Sequence, residues 1–266
     1  MSNARHQPFI TRTEILNLLS ETLTPLAYVQ AVWEGGAAAF HRIDEWSDLD
    51  IYVVADDERV ADVFRVIERA LTRLTPITLT YEVPQPTWHG HVQKFYRLSG
   101  ASEFLLLDLV VMRQSQPNKY LQPEIHGQVV VHFDKTEVTQ IRPLDRAALL
   151  DNIQAHLAKL QVTFELFQIL ILKELNRHND IEALTFYHNF TLRPLVTLLR
   201  IKYQPARYQF HTRYLYYDLP PEVIAKLEPL FFVTSGADLR VKRAAAEQLF
   251  YRTLAQLDPA LLVPLP

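Results

Sequence analysis

The stretch that most constrains this chain runs from Val32 to Val54, VWEGGAAAFHRIDEWSDLDIYVV. It reads as a strand ending at Gly35-Gly36, a short helix, a turn and a second strand carrying Asp48 and Asp50. Side chains alternate between the two faces of a strand. Asp48 and Asp50 therefore share one face, and Leu49, Ile51 and Val53 take the other. Neighbouring carboxylates repel each other, so the pair gains nothing unless a cation or strong donors lie between. Oxygen ligands of this kind suit Mg²⁺, which is held by one or two protein carboxylates together with substrate phosphates and water. The glycine pair supplies a second half. Glycine lets backbone approach a ligand closely, and a helix opening near Ala37 aims N–H groups and a positive dipole end at an anion.

Farther along, EFLLLDLVVM sets Asp108 in an apolar run. A carboxylate there is costly unless it is paired or faces an open side. Glu103, near the start of the run, is a weaker candidate for the same role. A Gly-Gly pair, eleven residues, Asp48-Leu49-Asp50 on an apolar strand and a third carboxylate on a later strand together resemble a known signature. It is that of the nucleotidyltransferase superfamily to which DNA polymerase beta belongs. Within it, the arrangement is similar to the small bacterial enzymes that adenylylate antibiotics such as aminoglycosides and lincosamides. The match covers residues 28–112.

The resemblance implies transfer of a nucleoside monophosphate, AMP from ATP in the first instance, to a hydroxyl of a small-molecule acceptor, with release of pyrophosphate. It implies Mg²⁺ and a nucleoside triphosphate as cofactor and donor. Asp48, Asp50 and Asp108 become the catalytic and metal-binding carboxylates, with Asp108 either completing a second metal site or taking the acceptor proton. Gly35 and Gly36 become the phosphate cradle. Gly36 stands where the antibiotic-modifying enzymes carry serine, which leaves phosphate contact to backbone N–H groups. Ser47 matches the family's Ser-Asp and is read as orienting the turn beside the nucleotide. Two other readings stand beside this one. One keeps the chemistry and moves it to a protein or tRNA end, as in toxin–antitoxin nucleotidyltransferases. The other is a nucleotide-binding module that has lost turnover.

A triphosphate needs cationic help. Arg42, one or two turns down the helix from the glycine pair, and Lys173, which interrupts the apolar run FQILILKEL, are the nucleotide-binding candidates. Arg177, Arg193, Arg200 and Arg213 are further cations of the second half. Tyr214, Tyr216 and Tyr217 are read as filling an inter-helix core in preference to stacking on a base.

Periodicity organises the rest. Thr11 or Thr13 ahead of Glu14 forms a capping box for a helix over 11–27. Val60, Val63, Phe64, Ile67, Leu71 and Leu74 make the buried stripe of a second helix that Pro76 ends. Residues 77–83, 92–98, 103–112 and 128–133 read as strands. Near Pro143 the pattern becomes helical, with Leu149, Ile153, Leu157, Leu160, Phe164, Phe167 and Ile171 on one face of a long helix. A second helix covers 181–203, kinked or broken at Pro194. The expected fold is an α/β nucleotidyltransferase domain over 1–142, a mixed sheet with helices mainly on one face, then an all-α helical bundle over 143–266.

The charge of −3 hides an asymmetry. Residues 1–142 hold 13 Lys/Arg and 18 Asp/Glu, and residues 143–266 hold 14 and 12. No basic block suits tight duplex binding, so nucleic acid is not an expected partner. With no cysteine there are no disulfides and no thiolate metal sites. The first residues show no signal-peptide pattern and no run of apolar residues is long enough to span a membrane, which gives a cytoplasmic protein as the expectation.

Overall fold

The structure is a computed structural model that describes residues 9–141, 143–258 and 261. The readings made for the first eight residues and for the boundary residue 142 lie outside them. The chain divides into two compact units, Met1–Pro143 and Leu144–Pro266.

In the first unit, α1 (Arg12–Leu23) opens on a complete capping box. Thr11 accepts from the Glu14 N–H while the Glu14 side chain accepts from Thr11. Six strands follow among the described residues: β1 (Val29–Glu34), β2 (Leu49–Ala55), β3 (Ile77–Glu82), β4 (Val92–Leu98), β5 (Leu107–Arg113) and β6 (Val130–Asp134). They form one sheet in the order β3-β4-β5-β2-β1-β6. β2 and β5 run parallel, and the other pairs are antiparallel. Between the strands lie α2 (Gly36–Ala39), α3 (Val60–Leu74) and α4 (Pro123–His126). One face of the sheet is closed by α1 and α3. Ile15, Leu19 and Leu23 meet Val63, Phe64, Ile67 and Leu71 over Leu49, Ile51, Val53, Leu109 and Val111. Burying each such side chain contributes about 1.5–3 kcal/mol. Leu74 departs from the expected stripe and is 39% exposed, because α3 ends there. The other face carries a smaller cluster of Ala31, Trp33, Val54, Val110, Met112 and Leu121.

The described residues of the second unit are helical: α5 (Arg146–Asn176), α6 (Asp180–Tyr187), α7 (Arg193–Tyr203), α8 (Leu215–Asp218), α9 (Pro221–Leu227) and α10 (Gly236–Leu254). By length and composition alone α5 is long and apolar enough to cross a membrane, although charged residues interrupt its apolar run. Its Ile153, Leu157, Leu160, Phe164 and Ile171 sit in the helical core, and Glu165 and Lys173 lie exposed.

Pro194 breaks the helical run as its chemistry requires. A single π-turn, His188–Leu192, separates α6 from α7. Proline has no N–H for the carbonyl four residues back, which is that of Phe190. The buried Gln168 side chain donates to that carbonyl at 3.0 Å, and Thr191 donates to the Gln168 oxygen at 2.9 Å.

Candidate active site

The polar end of the open sheet face is built by register. Asp50 on β2 and Asp108 on β5 are Cα partners across the parallel pair. Both therefore project from the same face, on strands about 4.8 Å apart. Asp48 lies exposed, just ahead of β2 and not on the strand as the alternation implied. Among the described residues no group of three or more His, Asp or Glu side chains stands close enough to hold a metal ion. The structure thus offers Asp50 and Asp108 as level neighbours, with Asp48 two residues upstream.

The glycine pair is pressed against this site. Gly36 has φ +53, and a Cβ built on it would lie 1.8 Å from Asp50 Oδ2. A Cβ on Gly35 would lie 2.5 Å from the Tyr52 ring. The Gly35 N–H donates to the Asp50 carbonyl at 3.0 Å, tying the turn to β2. Glycine at position 36 is thereby explained: a serine would meet both the left-handed backbone and the carboxylate. The helix after the pair is one turn long, so its dipole contributes little.

That short helix also corrects the reading of Arg42. The residue lies beyond α2, and its guanidinium sits 5.1 Å from the Phe40 ring. Ser47 serves its turn. Its hydroxyl donates to Asp44 Oδ1 at 2.6 Å and accepts from the Asp44 N–H at 2.9 Å. Glu103 falls in a turn before β5, off the strand. Lys173 belongs to the other unit, on the exposed side of α5. Arg200 is fully buried and structural: it pairs with Asp218 Oδ2 at 2.8 Å and donates to the His211 carbonyl at 2.6 Å, and Arg207 holds Asp218 Oδ1 at 3.0 Å. Tyr216 and Tyr217 are 67% and 63% exposed, so they do not fill the helical core.

Two residues that the sequence did not single out, Arg12 and Gln93, reach these aspartates. Arg12, in the first turn of α1, donates to the Asp48 carbonyl and pairs with the buried Glu34. Burial lowers its guanidinium from the usual arginine value, while the charges of Asp50 and Asp48 act the other way. Desolvation pushes the Asp48 carboxyl up, against a backbone hydrogen bond at Leu106 and the charge of Arg12. Gln93 on β4 donates through Nε2 to both Asp108 oxygens, at 2.8 and 2.9 Å. Its own oxygen lies 3.3 Å from His89 Nε2. Because the His91 N–H donates to His89 Nδ1 at 3.1 Å, the neutral ring carries its proton on Nε2 and donates it to Gln93. Burial lowers the His89 pKa, which favours that neutral form. Nothing local in the sequence points to these contacts, which span 36 residues for Arg12–Asp48 and 15 for Gln93–Asp108.

No family profile and no curated protein matches the sequence. Among solved structures the chain is similar to an aminoglycoside 6-adenyltransferase from Bacillus subtilis, at 12% identity and a TM-score of 0.35, over 95% of this chain and 94% of that one. It is also similar to a STING-associated CdnE c-di-GMP synthase from Capnocytophaga granulosa, at 12% identity and a TM-score of 0.30, over 92% of this chain and 80% of that one. At these scores neither likeness bears on function, which rests on the side chains of the open sheet face.

The residues present fit a hard divalent cation in their chemistry. Asp48, Asp50 and Asp108 offer only oxygen, and a carboxylate pair completed by substrate phosphates is a usual Mg²⁺ environment.

Proposed function

We propose that this chain is a nucleotidyltransferase that moves a nucleoside monophosphate, with ATP as first-choice donor, to a hydroxyl of a small-molecule acceptor and releases pyrophosphate. The observation that carries the reading is the level placement of Asp50 and Asp108 on one face, with Gly36 packed against Asp50. Carboxylates drawn together beside a bare backbone turn serve no packing purpose, and they suit a polyphosphate with its cation.

Mg²⁺, held by Asp48 and Asp50 when bound, would supply charge neutralisation at the phosphates. The protein's own contributions are positional. The Gly35-Gly36 turn admits phosphate close to the backbone. Arg12 fixes the entry of β2 through the Asp48 carbonyl. Asp108, oriented by Gln93, accepts the proton of the acceptor hydroxyl. Holding reactants in line is the larger part of catalysis in phosphoryl transfer.

The test is pyrophosphate release from ATP with Mg²⁺ across a panel of hydroxyl acceptors, for the wild type, Asp48→Asn, Asp50→Asn and Asp108→Asn. Each variant is expected to lose release while its thermal unfolding stays within a few degrees of the wild type. Release at the wild-type rate from Asp50→Asn or Asp108→Asn overturns the mechanism. That no three His, Asp or Glu side chains among the described residues stand close enough to hold a metal ion favours a second reading, a nucleotide-binding module without turnover. Mg²⁺-dependent ATP binding with no pyrophosphate from any acceptor selects it.

A further inference from the structure

The face that carries the carboxylates continues past Asp108 toward the sheet edge. Phe95 on β4 is the Cα partner of Asp108, and Tyr81 on β3 is the Cα partner of Phe95. One row across the sheet therefore reads Tyr81, Phe95, Asp108, Asp50. The rings of Tyr81 and Phe95 stack with centroids 6.3 Å apart and planes 25° from parallel. Leu79, two residues before Tyr81, shares the face. Leu79 and Tyr81 are 61% and 58% exposed. Among the described residues none of the three belongs to the hydrophobic clusters of the unit.

An outer strand is ordinarily blunted with charge or proline, and an exposed apolar strip of this kind is a mark of binding. Its position gives it a direction. On the Asp50 side of the carboxylate pair lies the glycine turn, which has no side chains and suits phosphate. On the Asp108 side lie Phe95, Tyr81 and Leu79, with Gln93 at their flank and the exposed Arg97 paired with Leu79 on the same face.

We propose that Leu79, Tyr81 and Phe95 form the acceptor subsite, and that the acceptor presents a flat ring face, either an aromatic ring or the C–H face of a sugar. This rests on the transfer reaction proposed above. The ring stacks on Tyr81 and Phe95 and lays one of its hydroxyls at Asp108. That hydroxyl oxygen bonds to the α-phosphorus as the bond to pyrophosphate breaks. Its proton passes to the Asp108 carboxylate, and pyrophosphate leaves with the bonding electron pair.

The test separates binding from turnover. Saturation-transfer NMR on the full chain, with no nucleotide, titrates three sets of probes: simple phenols, nucleosides and hexose glycosides. At least one set is expected to bind the wild type. Tyr81→Ala and Phe95→Ala should weaken that binding about tenfold, in the range of a base–aromatic stack, and Tyr81→Phe should retain it. The set that binds tells an aromatic acceptor from a sugar. Should Phe95→Ala unfold, Tyr81→Ala on the exposed edge carries the comparison alone. Equal affinity for the wild type and Tyr81→Ala overturns the subsite, and so does a wild type that binds no probe. A chain that binds rings at Tyr81 and releases no pyrophosphate from any of them refutes the reaction alone.

Discussion

The sharpest consequence of the site geometry is that any side chain at position 36 must displace Asp50. In Gly36→Ala the new Cβ would start 1.8 Å from Asp50 Oδ2, where real contacts stay beyond 3.0 Å, so the carboxylate must retreat by 1.2 Å or more. The backbone at φ +53 adds a penalty of about 1–2 kcal/mol for any residue with a Cβ. The two costs fall on different observables. The backbone penalty lowers the free energy of unfolding, read by urea titration. Displacement of Asp50 lowers turnover, because a 1 Å misplacement of a reacting group costs on the order of 100-fold. The expected result is a folded variant, about 1–2 kcal/mol less stable, with pyrophosphate release down on the order of 100-fold. Gly36→Ser should behave alike, even though serine is the residue that antibiotic-adenylylating enzymes carry in the motif this chain resembles. A Gly36→Ala protein that keeps wild-type release would show that Asp50 has no fixed place in the chemistry.

Three further outcomes follow from buried polar groups. Asp218→Ala strands the buried Arg200 and Arg207 without their carboxylate and should lower stability by about 3–5 kcal/mol in urea titration; a loss under about 1 kcal/mol contradicts the ion pairs. Gln168→Leu leaves the Phe190 carbonyl without its side-chain donor beside Pro194, so unfolding should come about 1–3 kcal/mol sooner, and an unchanged denaturation midpoint would assign that carbonyl another partner. His91 is buried, and burial, then the nearby His89 and Lys119, lower its pKa from 6.5 to about 4. The unfolded chain therefore binds more protons between those values, and the stability present above pH 6.5 is lost as pH falls toward 4. His91→Phe should remove about 3 kcal/mol of that pH-dependent loss in urea titrations, and an unaltered pH dependence would acquit His91.

What could be read from the residues was what local period and spacing encode. Alternation gives the two faces of β2, and the stripe of Val63, Phe64, Ile67 and Leu71 gives α3 its buried side. The capping box of Thr11 and Glu14 marks the start of α1. Contacts that join distant segments leave no such trace. Arg12 looks like any first-turn arginine until β2 passes beside it, and Gln93 looks like a polar strand residue until β5 supplies Asp108. Arg200 reads as a surface cation in the sequence, yet the segment from 204 to 218 folds three carbonyls and the Asp218 carboxylate around it. Arg42 was expected one or two turns down the helix after the glycine pair, and the chain makes a single turn there that ends at Ala39. Tyr216 was read as core by composition, and its hydroxyl instead reaches Glu228 at 2.6 Å on an exposed surface.

The parallel pairing of β2 with β5 has a consequence for the order in which the molecule assembles. Two parallel strands cannot be joined by a tight turn, and here 58 residues separate Asp50 from Asp108, with α3, β3 and β4 all lying between. A ribosome that has reached residue 100 has made Gly35, Gly36, Asp48 and Asp50 but not Asp108, and no site. The pair comes level only after the intervening hairpin has been laid down and β5 has slotted between β4 and β2. Non-local pairings of this kind are late and slow, so competence should be gained at the end of folding and should be among the first properties lost on partial unfolding.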